Sequence, residues 1–405
     1  MKMKKLTYIL MSAVLLCGCV HKTITKNNKV KMIVASDIHY FLKDYYQECS
    51  WFEESLLYED GKMVTYADEI IDEFIDVVKK EKPDIVLLTG DLSFNGEKGS
   101  HQGLADKLMK IKDAGITVAV IPGNHDVDNI FTKGYGKDDY LKVEATTAKE
   151  FSEIYAKLGY DQAITKHEKS LSYRLDLNKQ YSLLMVDSNS HELTTGTKLD
   201  TGGQITKETY AWIEEQLKDI NEANQIPIIA MHHNLVNHNS LLNNGYTVKD
   251  SEHLVELFSQ YHVPFVLSGH IHCQNIKEIN GLYDIASSSL LDTPLQYGIV
   301  EIDQASMQYH TESLKISVSS DDYFDQVSRN RFEEEVESKD ILDLLVKANR
   351  YYFTGNISEH IDELKAMKGY RLLMNSDNKK MKFHQQYLNS LLEEKKTSQK
   401  LSIKF

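Results

Sequence analysis

Nine residues able to bind cations or move protons stand just past apolar runs in this chain: Asp37, His39, Asp91, Asn124, His125, Asp126, His232, His270 and His272. Carboxylates, imidazoles and one amide offer oxygen and nitrogen donors, which suit first-row ions such as Mn, Fe or Zn. No Cys-x-x-Cys of a zinc ribbon accompanies them, so any metal is held by nitrogen and oxygen. Seven ligand candidates exceed what one ion needs, and two divalent or trivalent ions sharing a ligand is the economical reading. A pair about 4 Å apart activates a water and clamps both oxygens of an in-line displacement. Only a carboxylate bridges two cations comfortably, and Asp91 stands in the middle of the set.

The elements that must position these residues follow from hydrophobic periodicity. Val118 to Ile121 is an apolar run that stops at Pro122-Gly123 and delivers Asn124-His125-Asp126. Val30 to Ser36 likewise delivers Asp37 and His39, and Asp84 to Leu88 delivers Gly90-Asp91. Pro227 to Met231 delivers His232-His233, and Pro264 to Leu267 delivers His270 and His272. Helical spacing (Ile70, Phe74 and Val77; Leu104, Leu108 and Ile111) separates the first three runs, so right-handed βαβ crossovers and a largely parallel sheet are expected. Ligands collect at the carboxyl ends of such strands. Leu171 to Leu177 alternates with polar residues and should be an antiparallel strand paired with Tyr181 to Asp187; an edge strand is expected near Leu314. His101, at a helix start, is expected to be exposed and idle. The aromatic insertion Tyr40 to Gly61 reads equally as a packed surface loop or as a wall beside the strand ends.

The chain of 405 residues allows one large α/β domain with a smaller appendage. Its net charge of -14 argues against a nucleic-acid partner, since phosphate backbones are bound mainly by Lys and Arg. A basic start and a short apolar run end at Leu16-Cys17-Gly18-Cys19, which resembles a bacterial lipoprotein cleavage box with Cys19 lipidated. We therefore expect a signal peptide at 1–19, a tether at 20–29, a catalytic domain at 30–317 and a helical domain at 318–405. The mature protein is expected outside the cytoplasm, held to the cell membrane by lipid. Cys49 and Cys273 remain, either as free thiols or joined over the site by a disulfide.

Taken in order, Asp37-x-His39, Gly90-Asp91, Gly123-Asn124-His125-Asp126, His232-His233 and Gly269-His270-x-His272 resemble the calcineurin-like metallophosphoesterases. The resemblance implies a four-layer α/β/β/α sandwich of two mixed sheets. By position, Asp37, His39 and His272 would hold one metal and Asn124, His232 and His270 the other, with Asp91 bridging. His125 would touch the phosphoryl oxygen or the leaving group and Asp126 would orient His125, while His233 is the rival of His232. The implied activity is hydrolysis of a small-molecule phosphoester by a metal-bridging hydroxide, with cyclic-nucleotide phosphodiesters first. A phosphomonoesterase or an envelope or extracellular nucleotide esterase would use the same residues. A non-catalytic interaction module on this scaffold is the reading from another class.

Overall fold

The computed structural model describes residues 23–59, 61–189, 201–336 and 338–405. The expected signal peptide with Cys19, and the first residues of the tether, lie outside the described residues. Strand β1 (Val30–Ala35) leads through a short helix α1 (Ser50–Leu56) into α2 (Ala67–Glu81). The buried face of α2 is Ile70, Ile71, Phe74 and Val78, at helical spacing. Lys82 closes it in the left-handed region, its N–H bonded to Val78 O, and Pro83 cannot continue the helix. Strand β2 (Ile85–Leu88), helix α3 (Lys98–Asp113) and strand β3 (Thr117–Val120) complete two crossovers.

Strands β1, β2 and β3 are parallel and in step: Ala35 pairs with Leu88, and Leu88 with Val120. Their carboxyl ends therefore share one edge. After β3 come a small hairpin, β4 (Gly134–Tyr135) and β5 (Tyr140–Leu141), and helix α4 (Ala148–Ile154), which opens on a Thr147–Glu150 capping box. Strands β6 (Thr165–Lys166), β7 (Tyr173–Asp176) and β8 (Tyr181–Val186) run antiparallel in sequence. Asn178 Oδ1 accepts from Gln180 N and Tyr181 N, which sets the β7–β8 turn.

Helix α5 (Lys207–Glu222), strand β9 (Ile226–Met231), helix α6 (Ser251–Gln260) and strand β10 (Phe265–Ser268) follow, with β8, β9 and β10 parallel. Strands β11 (Asn275–Ile279) and β12 (Leu282–Ala286) finish this sheet, in the order β11-β12-β10-β9-β8-β7-β6. Side chains on it alternate by face. Leu183, Met185, Ile228 and Ala230 enter the central core between the sheets. Leu184, Val186, Ile229 and Met231 instead meet Ile213, Leu217 and Phe258 of α5 and α6. Two mixed sheets packed face to face with helices outside make the expected four-layer α/β/β/α sandwich.

Strands β13 (Gln296–Ile302) and β14 (Ser306–Ser313) extend the first sheet beside β1. Helices α7 (Ser320–Glu333), α8 (Lys339–Thr354), α9 (Ile361–Ala366), α10 (Lys368–Met374) and α11 (Met381–Leu391) then gather around Leu344, Leu345, Leu364, Leu373 and Leu388. The chain does not end there. Strand β15 (Lys400–Lys404) returns to pair with β14, so the strand expected at the sheet edge is covered on both sides. Cys49 and Cys273 are free and sit in different cores, Cys273 among the C-terminal helices, and no disulfide joins them. The aromatic insertion is a packed cluster in which Phe41 and Phe52 meet Phe94 and Tyr135.

Candidate metal centre

The strand ends bring seven of the nine singled-out residues into one buried cluster. Five of them (Asp37, His39, Asp91, His270 and His272) have positive φ, between 41° and 71°. That backbone is costly for residues other than glycine, and it collects at functional sites. The glycines beside them have steric reasons. A Cβ on Gly123 would enter the van der Waals radius of Asp91 Oδ1. Gly90 has φ 103°, and a Cβ there would stand 2.6 Å from His232 Nδ1.

Two groups of donors share Asp91. In the first, His272 Nε2 is 3.1 Å from His39 Nε2 and 3.3 Å from Asp37 Oδ1, while His39 Nε2 is 3.7 Å from Asp91 Oδ2. In the second, His232 Nε2 is 3.4 Å from Asp91 Oδ2, 3.1 Å from Asn124 Oδ1 and 3.1 Å from His270 Nδ1. Asp37, His39, Asp91 and His272, and again Asp91, His232 and His270, have donor atoms mutually within 4.8 Å.

The outer hydrogen bonds fix which nitrogens are free to bind. His232 Nδ1 lies 2.9 Å from Thr89 O and His270 Nε2 2.9 Å from Gly245 O. A carbonyl only accepts, so each of those nitrogens carries the hydrogen, and the inward nitrogens hold lone pairs whenever the rings are neutral. His272 Nδ1 faces Asp292 Oδ2 at 3.2 Å, with the same consequence. Asp37 Oδ1 is buried and faces His272 Nε2 at 3.3 Å. Facing acceptors in a dry pocket repel unless a cation lies between them. The residues fit two small ions.

Electrostatics agree. Burial alone would raise Asp91, but His232 and His125 hold it well below the ordinary carboxylate value. Burial opposes charge on His232 and His272, yet Asp91 lifts the first to about 9, and Asp292 and Asp37 lift the second to about 10. Burial, with His232 beside it, drops His270 to about 4. Asp91 and Asp37 thus draw positive charge into the buried site.

His125 stands apart. Its Nδ1 is 2.8 Å from Phe94 O and 3.0 Å from Asn95 Oδ1, and its Nε2 is 4.0 Å from Asp91 Oδ2. Its side chain is 25% exposed, against none for His39 and His232. Asp126 does not orient it, contrary to expectation. Asp126 accepts from Leu92 N, Ser93 N, Ser93 Oγ and Gly123 N at 2.8–3.0 Å, locking the β2 and β3 loops together. Those four donors take up its carboxylate, and Phe94 and Asn95 take the orienting role.

His101 corrects a second expectation. It is fully buried, bonded through Nε2 to Asp126 O at 2.9 Å and through Nδ1 to Tyr155 Oη at 3.0 Å. The His233 ring packs on that of His270 at 4.5 Å, but its nitrogens are taken by Ser188 Oγ and Thr201 O. Sequence reasoning missed Asp292, Asn95 and Lys62, the last a cation in the wall of the cavity beside the site. Asp292 closes the apolar run Leu290-Leu291, the same strand-end signal that marks the ligands.

The sequence matches the calcineurin-like phosphoesterase family over residues 30–274, well over half of the chain. The chain belongs to this family. Residues 307–398 match a second family, the C-terminal domain of cyclic nucleotide phosphodiesterase. A probable cyclic nucleotide phosphodiesterase of Psychrobacter arcticus is 26% identical over 211 residues, covering 50% of this chain and 62% of the relative. One from Vesicomyosocius okutanii is 24% identical over 193 residues, 47% of this chain and again 62% of the relative. The chain thus spans under two thirds of the curated relatives it matches. A dimetal phosphatase from Danio rerio superposes with a TM-score of 0.52 at 10% identity, over 70% of this chain and 96% of that one, which shows the shared fold.

Proposed function

We propose that this calcineurin-like phosphoesterase is a metal-dependent phosphodiesterase whose preferred substrates are cyclic nucleotides. The observation that carries the reading is the carboxylate Asp91, whose Oδ2 lies between His39 Nε2 at 3.7 Å and His232 Nε2 at 3.4 Å. Asp37, His39 and His272 complete one ion site; Asn124, His232 and His270 complete the other. Two divalent or trivalent ions, Mn, Fe or Zn, would lower the pKa of water and neutralise charge on the phosphoryl group. The chain's own work is to hold those donors rigid, through Thr89 O, Gly245 O and Asp292, and to keep the floor dry.

His125 serves the leaving group. Its Nδ1 hydrogen is committed to Phe94 O, so Nε2 donates only when the ring is charged. Burial holds that charge down, so an incoming phosphate anion would raise it at the moment it is needed. The C-terminal match and the names of the relatives support a diester over a monoester. The presence of every ligand type, with converging geometry, speaks against a non-catalytic module.

Hydrolysis of cyclic AMP, bis-p-nitrophenyl phosphate and p-nitrophenyl phosphate by metal-reconstituted protein tests the reading. Diester turnover well above monoester turnover is expected. Faster p-nitrophenyl phosphate hydrolysis would make it a phosphomonoesterase, and no turnover with both ions bound would return it to an interaction module. We further propose lipid anchoring through Cys19, supported by the Leu16–Cys19 box; no helix among the described residues is long and apolar enough to cross a membrane.

A further inference from the structure

A cavity of about 520 Å³ opens over Asp91, Asn124 and His125, and its far wall belongs to the C-terminal helices. That volume lies within the range of small-molecule sites, roughly 300–1,000 Å³. Phe332 of α7, Tyr352 of α8, and Phe383 and Tyr387 of α11 line it, together with Leu242 and Tyr246 from the loop after β9. The wall is fixed to the site. Gln274 N bonds Phe353 O at 2.9 Å, two residues beyond His272, and Asn239 Nδ2 donates to Tyr352 Oη at 3.3 Å. Tyr387 Oη donates to Asn349 Oδ1 at 2.6 Å, and Asn349 Nδ2 to Ser328 Oγ at 3.0 Å.

On this rigid backing Phe383 is left open. It is 51% exposed, and its ring lies nearly parallel to that of Tyr387, 9° between planes and 6.3 Å between centroids. In the same cavity Tyr246 is 37% exposed and packs on the ring of His270 at 5.4 Å. Large apolar faces turned into a cavity, above a phosphoryl-binding floor, suit a flat and weakly polar ligand group.

We infer that the C-terminal helices supply the base-binding wall of the substrate pocket, with Phe383 as the stacking face for the nucleobase of a nucleotide ester. The inference rests on the phosphodiester reading of the floor. It gives the helical region a role in selecting substrates while the strand ends perform the chemistry.

Equilibrium dialysis of adenosine against the metal-loaded full chain tests it without requiring turnover. Base stacking on one aromatic side chain is worth roughly 5- to 100-fold in affinity. Phe383→Ala should weaken adenosine binding by that factor and raise KM for cyclic AMP equally, with metal content at the wild-type value. Phe383→Trp should restore both. The side chain is half exposed, so its removal leaves the helical core intact. No adenosine binding by the wild-type chain, or binding indifferent to Phe383→Ala, overturns the inference. Wild-type hydrolysis of bis-p-nitrophenyl phosphate without cyclic AMP would instead overturn the cyclic-nucleotide reading, and the dialysis would still decide the wall.

Discussion

His232 Nε2 lies 3.1 Å from His270 Nδ1, and the carbonyl partners on the far side of each ring leave the two inward nitrogens to share a proton or a metal ion. With both rings neutral the contact sets two lone pairs against each other, and a bound ion relieves it. Stripping metal with a chelator is therefore expected to lower Tm by about 4 °C or more, and Mn or Zn should restore it. An unchanged melting curve for protein verified as metal-free would contradict the assignment.

Replacing His125 separates proton donation from ion binding. His125→Ala should keep both ions and lose roughly 10²–10⁴ in kcat on cyclic AMP. Bis-p-nitrophenyl phosphate should suffer less, since a nitrophenolate leaves without a proton. The pH profile carries a sign as well. A donor acts while protonated, and burial depresses the pKa of His125, so kcat/KM for cyclic AMP should fall with rising pH from below the usual histidine range. The variant should lack that limb. Equal losses on both substrates would assign His125 to the non-bridging oxygens instead.

Asp126 gives a contrasting prediction. Four donors converge on its carboxylate, so Asp126→Ala leaves buried N–H groups unpaired and should cost about 3 kcal/mol or more in urea unfolding. Asp126→Asn, which keeps an acceptor, should cost less and retain most of the activity. A loss as large as that of His125→Ala in a folded Asp126→Asn variant would restore the orienting role.

Stability should also depend on His101. Burial depresses its pKa, so the unfolded chain binds the proton more tightly. The stability it contributes is present above about pH 6.5 and lost as pH falls below that value. His101→Gln should flatten the Tm profile there; an identical slope in the variant would show that other groups set it.

These corrections mark what a linear sequence conveys. The strand ends were legible because β-branched runs stop at glycine or proline and are followed at once by ligand types, as at Val120 to His125. The same logic placed His232 ahead of His233, which the fold turns toward Ser188. His101 was not legible, because its burial depends on Phe151 and Tyr155 of α4 closing over it from a distant stretch. The short, polar run Lys-Leu-Ser-Ile-Lys of β15 carries too little apolar signal to announce a strand. The Phe383 wall depends on α7, α8 and α11 meeting the loop after β9, an approach no local pattern encodes.

Cys19→Ser should move the protein from the membrane to the soluble fraction of fractionated cells, since lipid is the anchor proposed for it. Continued membrane association of the variant would exclude that anchor.

The shared carboxylate is the centre of the account, and metal stoichiometry of Asp91→Ala tests it most directly. The wild-type chain should hold about two ions, and the variant should lose occupancy at both positions, because one side chain serves both. Occupancy near two in folded Asp91→Ala protein would contradict the bridge and the dinuclear site built on it.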